Sequence, residues 1–170
     1  SMTVDDYIKP LNLIKAIGEI ARAVGHKGMI AGQVVDLESE GRQIDEDTLR
    51  YMHRHKTGAL FAASLKAGAM LFAATEDKLQ ALENYAQHFG LAFQITDDIL
   101  DVEGTQEEIG KPVGSDIKND KSTFVSLYGL EDSRRQAKEH VIMAQESIGA
   151  FGTEADFLRE LASQVLIRRS

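Results

Sequence analysis

Apolar residues recur at three- and four-residue spacing along most of the 170 positions, and convincing strand-like alternation occurs nowhere. Leu11, Ile14, Ile17 and Ala21 mark a first helix, entered through Asp5-Asp6 and Pro10 and closed by Gly25 as C-cap. A second helix is predicted from Gly28 to Glu40, stopped at Gly41. A third starts near Asp45, has Glu46 and Asp47 in its first turn, and runs past Lys56 into the apolar stretch Gly58 to Thr75. Thr75 N-caps a fourth helix, with Glu76 and Asp77 in its first turn; it carries Leu79, Leu82, Tyr85, Ala86 and Phe89 towards Asp97 and Asp101. Ser122 or Thr123 opens a short helix through Phe124, Leu127 and Tyr128 that ends near Gly129. Glu131 to Ala150 and Glu154 to Arg168 complete the set, with Gly152 as the break between them. The fold class read from this pattern is all-α, a single helical piece of a larger bundle over residues 1–170.

Gly58 to Thr75 is apolar nearly all round, but Lys66, Ser64 and its glycines fit a buried central helix better than a membrane span. The formal charge of −8 argues against nucleic-acid or anionic-membrane partners. The absence of cysteine excludes disulfides, thiolate zinc sites and a cysteine nucleophile, and it fits a reducing cytoplasm. The polar, acidic start does not read as a signal peptide, and Ser1-Met2 reads as a cloning scar.

One run stands apart from this patterning: Phe93-Gln94-Ile95-Thr96-Asp97-Asp98-Ile99-Leu100-Asp101. On a helix, Asp97 and Asp98 both lie about one turn from Asp101, and like charges at this spacing cost a few tenths of a kcal/mol per pair. The triplet is either a solvated acidic helix end or a seat for a hard divalent cation such as Mg2+, which takes one or two carboxylates together with substrate phosphates. The loop that follows, Gly110-Lys111-Pro112-Val113-Gly114-Ser115-Asp116-Ile117-Lys118-Asn119-Asp120-Lys121, sets lysines beyond the acids, and Lys56-Thr57-Gly58 sets one before them. Cations on both sides of a carboxylate triplet favour a metal-bridged diphosphate over a decorative surface. The five histidines offer no i, i+4 pair; His53 and His55 do not share a helix face, while His26, His88 and His140 lack clustered partners. None is assigned to a metal.

The ordered motifs carry a resemblance. Met29-Ile30-Ala31-Gly32-Gln33-Val34-Val35-Asp36, Lys56-Thr57-Gly58, the run Phe93 to Asp101 and the Gly110 to Lys121 loop together resemble the trans-isoprenyl diphosphate synthases, or polyprenyl synthetases. Across His53 to Leu60 and Gly90 to Gln94 the chain is most similar to the bacterial farnesyl diphosphate synthases of that family. The resemblance implies the C-terminal half of an isoprenoid-synthase-type bundle, because the family's first Asp-rich motif has no counterpart before Asp36. It implies a cytoplasmic, Mg2+-dependent prenyltransferase that condenses isopentenyl diphosphate head-to-tail with an allylic diphosphate, dimethylallyl or geranyl, to give farnesyl diphosphate.

By the same resemblance, Asp97, Asp98 and Asp101 hold Mg2+, directly or through waters, and Lys56, Lys111 and Lys121 hold the diphosphate. Lys56, the Thr57 carbonyl and Gln94 form the catalytic set beside the developing cation; a local bend at Gly58 would release that carbonyl from its helical bond. Gln33 and Asp36 either support the cavity or form an ordinary surface turn, and Asp116 either pairs with a lysine or supports a ligand. Arg168-Arg169 reads as a solvated tail in preference to a cover over diphosphate. A terpene cyclase is the weaker enzyme alternative, since its second metal motif usually mixes Asn, Ser and Glu. With one acid motif, the chain as given is expected to be inactive alone and to self-associate through unpaired apolar faces, giving a homo-oligomer.

Overall fold

The computed structural model describes residues 8–103 and 121–168, and every regular element among them is helical. Asp5-Asp6, Lys111, Asp116 and Arg169 lie outside the described residues. Helix α1 (Pro10–Val24) begins with Pro10 at its first position, where a missing N–H costs nothing, and is C-capped by Gly25. Helix α2 (Met29–Glu38) is slightly shorter than the predicted span. Helix α3 (Glu46–His53) starts at Asp45, whose side chain accepts the Thr48 N–H.

The predicted continuous third helix is real but interrupted. Between α3 and α4 (Ala59–Leu71) the backbone widens into a π-helical turn, Arg54–Gly58, that holds the whole Lys-Thr-Gly motif. Helix α4 ends at Leu71 instead of reaching Thr75, and its burial is one-sided. Ala62, Ala63 and Ala67 are buried, whereas Ser64 and Gly68 are exposed and Phe72 just beyond is 70% exposed. Among the described residues no helix is long and apolar enough to cross a membrane.

Helix α5 (Glu76–Glu103) is the spine, packed against α4 on one side and α7 (Leu130–Ser147) on the other. The short α6 (Phe124–Tyr128) opens with a capping box between Thr123 and Ser126. Gly129 then turns the chain into α7 at φ +76°, a left-handed conformation that suits glycine. A single 3-10 turn, Thr153–Ala155, leads into α8 (Asp156–Gln164). The last predicted helix stops early: Leu166 and Ile167 donate to Ser163 and Gln164 in tighter turns that close the C-terminal end.

Two apolar clusters share α5. Leu82, Tyr85, Phe89 and Ala92 meet Val141 and Ala144 of α7, Ile148 just beyond its end, and Ala162 of α8. One to two turns on, Ile95 and Ile99 meet Leu49 and Met52 of α3, Phe124 of α6 and Ala137 of α7. Lys66 of α4 ties the other side, reaching Glu19 of α1 at 2.6 Å and Glu83 of α5 at 2.8 Å. Burial disfavours its charge, but hydrogen bonds to the two carboxylates outweigh that and raise its pKa.

Candidate active site

Three glycines set how closely the site's elements approach. A methyl on Gly32 of α2 would lie 2.2 Å from the Lys56 backbone nitrogen, so α2 rests directly on the π turn. One on Gly90 of α5 would lie 3.2 Å from the Gly58 Cα, so α5 meets the same turn from the other side. The Lys-Thr-Gly motif is thereby held between the two other helical motifs. π turns of this kind interrupt helices frequently at functional sites.

Across these contacts the polar groups meet. Lys56 Nζ donates to Asp36 Oδ2 at 2.6 Å, and Lys121 Nζ donates to Asp36 Oδ1 at 3.2 Å. Burial works against the Asp36 carboxylate, but the Lys56 hydrogen bond and charge, with Lys121 behind them, hold its pKa below the usual range. Asp36 is 7% exposed and doubly paired, so the alternative of an ordinary surface turn is set aside for it. Gln33, one turn earlier, is half-buried. Thr57 Oγ1 donates to Gln94 Oε1 at 2.5 Å, which fixes the Gln94 amide one turn from Asp97.

The three aspartates are not equivalent. Asp97 is the open one, its side chain 40% exposed. Asp98 is buried and its Oδ2 accepts the Phe124 N–H at 2.7 Å, so it anchors the start of α6. Asp101 is 1% exposed. Among the described residues the acids do not form a ready three-ligand metal group; they are oxygen donors of the kind a hard cation prefers, and a partly exposed Asp97 suits an ion that keeps most of its waters.

Sequence reasoning missed two features. Arg168 is not a solvated tail. Its guanidinium stacks 3.8 Å above the Phe93 ring, donates to the Phe93 carbonyl at 2.9 Å and reaches Asp97 Oδ1 at 3.4 Å. Burial lowers its pKa while Asp97 opposes that loss. Nor are His88 and His140 isolated: 52 positions apart, they stack with ring centroids 5.3 Å apart across α5 and α7. No spacing rule reveals such a pair. His53 is also buried and stacks on Phe124, and desolvation drops its pKa to about 4.

Residues 4–154 match the polyprenyl synthetase family. The chain is 39% identical over 165 residues to the farnesyl diphosphate synthase of Bacillus subtilis (strain 168), covering 97% of this chain and 56% of that protein. It is 40% identical over 159 residues to the geranylgeranyl diphosphate synthase of Cyanophora paradoxa, covering 93% and 53% respectively. In fold it is similar to a geranyltransferase from Helicobacter pylori solved with magnesium and isoprenyl diphosphate, with TM-score 0.77 and 29% identity, covering 94% of this chain and 52% of that one. The chain thus spans about half the length of the relatives it matches. With the Gly32, Lys56-Thr57-Gly58 and Gln94 to Asp101 motifs gathered on one spine, the chain belongs to the polyprenyl synthetase family, whose members are prenyltransferases.

Proposed function

We propose that this chain supplies the allylic diphosphate side of a Mg2+-dependent, head-to-tail prenyltransferase, condensing isopentenyl diphosphate with a dimethylallyl or geranyl diphosphate. The observation that carries the reading is the convergence of Lys56 and Lys121 on Asp36, joined through the π turn to Gln94 and so to Asp97 one turn on. Farnesyl diphosphate is the proposed product, supported by the Bacillus subtilis relative, although a geranylgeranyl synthase matches at similar identity.

In this reading Asp97 holds Mg2+, with Asp98 and Asp101 contributing directly or through waters. When bound, the metal neutralises charge on the departing diphosphate. Lys56 and Lys121 turn from Asp36 to diphosphate oxygens, and Lys111 joins them. Asp36 holds both lysines within reach until substrate arrives, and Gln33 supports it from the same helix. Breaking the allylic carbon–oxygen bond leaves a delocalised cation, which oxygen dipoles stabilise. In this reading the Gln94 amide, held by Thr57, and the Thr57 carbonyl within the π turn take that role. Asp116 supports a lysine or a ligand, and Arg168, pulled from Asp97, covers the bound phosphate.

A second reading applies to the chain as given, and it is favoured by the exposed apolar face of α1. Leu11, Ile14 and Ile17 are each more than half exposed. With one acid motif, the chain is then a catalytically silent, self-associating helical module. Geranyl diphosphate titrated calorimetrically into the purified chain is expected to bind only with Mg2+ present, and D97N is expected to abolish that binding. Assays with Mg2+, isopentenyl and geranyl diphosphates are expected to show negligible product from this chain alone. Metal-independent binding would overturn the site; clear farnesyl diphosphate formation would overturn the silence.

A further inference from the structure

On the flank away from Asp97, a small cleft of about 90 Å³ opens between α3, the π turn, α5 and α7, lined by Arg50, Arg54, Gln87, His88, Leu91 and His140. That volume is several times the ~10–15 Å³ needed to seat one water, so it has room for a small tetrahedral oxyanion. Its hydrogen-bond directions follow from donor chemistry. Arg50 Nη1 lies 3.4 Å from His140 Nε2, and a guanidinium only donates, so that nitrogen accepts. The neutral His140 ring therefore carries its proton on Nδ1 and donates it across 3.1 Å to His88 Nδ1. His88 is left with its own N–H on Nε2, which has no acceptor among the described residues.

Charge points the same way. No carboxylate lines this cleft among the described residues, and those on the neighbouring helices are already paired. Glu46 of α3 is paired with Arg50 at 2.6 Å, Glu83 of α5 with Lys66 at 2.8 Å, and Glu139 of α7 with Arg135 at 2.9 Å. Arg50 is further held by Gln136 at 2.9 Å. Arg54 has no ion pair among the described residues, and it also lines the adjoining hollow together with Lys27 and Glu83. The result is a cationic recess on a chain of net charge −8. Both imidazoles are held neutral there, by burial first and by neighbouring positive charge second.

We propose that this cleft is a second, metal-independent anion site, in which Arg54 and His88 Nε2–H take the oxygens of an inorganic phosphate-class dianion and the stacked His88–His140 pair accepts a proton as it binds. A dianion reverses the field that keeps the imidazoles neutral, so binding and protonation reinforce each other.

Sulfate is the suitable probe, because it stays doubly charged while the imidazoles titrate. Imidazole NMR signals of His88 and His140 in the purified chain, without Mg2+, are followed as sulfate replaces chloride at matched ionic strength. Binding is expected to be unchanged between pH 8 and pH 7 and to tighten in acid below pH 6, by at most about tenfold for an apparent pKa of the pair raised by about one unit in saturating sulfate. Inorganic phosphate is expected to compete for the same signals. R54Q is expected to weaken binding about tenfold, as for loss of one charge-assisted contact, while R22Q, an exposed arginine on α1, leaves it unchanged. Signals that respond to sulfate and chloride alike, or R54Q binding as tightly as the parent chain, would overturn the proposal.

Discussion

At Asp36 two lysines from distant parts of the chain share one buried carboxylate, Lys56 at 2.6 Å and Lys121 at 3.2 Å, and each amine still reaches solvent. Removing the charge leaves two cations facing each other without their common partner. D36N is therefore expected to destabilise the chain by about 1–2 kcal/mol in urea unfolding, the low side for a hydrogen-bonded charge because the lysines remain partly hydrated. The pH dependence has a fixed sign. The folded-state pKa of Asp36 is depressed, so its contribution is fully present above the unfolded carboxylate value of about 4 and fades as pH falls through the lower folded value. The gap between parent and D36N should stay constant at neutral pH and narrow in acid; a gap that widens in acid would contradict this account. Gly32 makes a contrasting case at the same contact. G32A puts a methyl 2.2 Å from the Lys56 backbone and is expected to cost about 2–4 kcal/mol. Nothing lies within 4 Å of a methyl built on Gly68, inside α4, so G68A should stabilise by about 0.5–1 kcal/mol in the same measurement.

Among the elements, α6 shows a cap supplied from outside its own sequence neighbourhood. Thr123 and Ser126 close a local capping box, but the Phe124 N–H is buried and answered by Asp98, 26 residues earlier on α5. D98A leaves that donor without an acceptor, and a cost of about 1–3 kcal/mol is expected in thermal unfolding, with the environment of the neighbouring Tyr128 perturbed. D98N, which keeps a carbonyl acceptor, should recover most of it; equal losses in both variants would show that charge and not the hydrogen bond matters. The same elements show what the sequence could and could not disclose. Caps and breaks at Pro10, Gly25, Asp45, Thr75, Thr123 and Gly129 are local chemistry, and the helices they bound fall close to their predicted spans. The early end of α4, the π turn at Arg54–Gly58 and the turns after Gln164 are different. They answer tertiary contacts, with Gly32 and Gly90 pressing on one turn and Arg168 reaching Phe93, which no single window of sequence contains. The acid run and the Lys-Thr-Gly motif were readable as chemistry because their residue types are unusual on an apolar helix. Their division into one open and two buried aspartates was not, since burial follows from tertiary contacts such as that of Asp98 with the start of α6.

On the scale of the whole molecule, apolar surface is distributed unevenly. Helix α5 is covered by α4 and α7, while α1 packs along α4 with Ala16 as its buried apolar residue, Asn12 bonded to the Leu71 carbonyl and Glu19 paired with Lys66. Its other apolar side chains, Leu11 at 62%, Ile14 at 65% and Ile17 at 57%, look outward, and Leu37 of α2 is 58% exposed. Covering one exposed isoleucine fully is worth about 1.5–3 kcal/mol, so even partial cover of three or four such residues offsets much of the entropy lost in association. The occupant we propose in solution is a second copy of the chain. Sedimentation velocity is expected to show concentration-dependent growth from monomer to dimer in the micromolar range. The I14K/I17E double variant adds charge at two outward positions without touching Ala16, so it should shift the population to monomer and leave helical circular dichroism unchanged. A parent chain that sediments as a single monomer across that range would remove α1 as an interface.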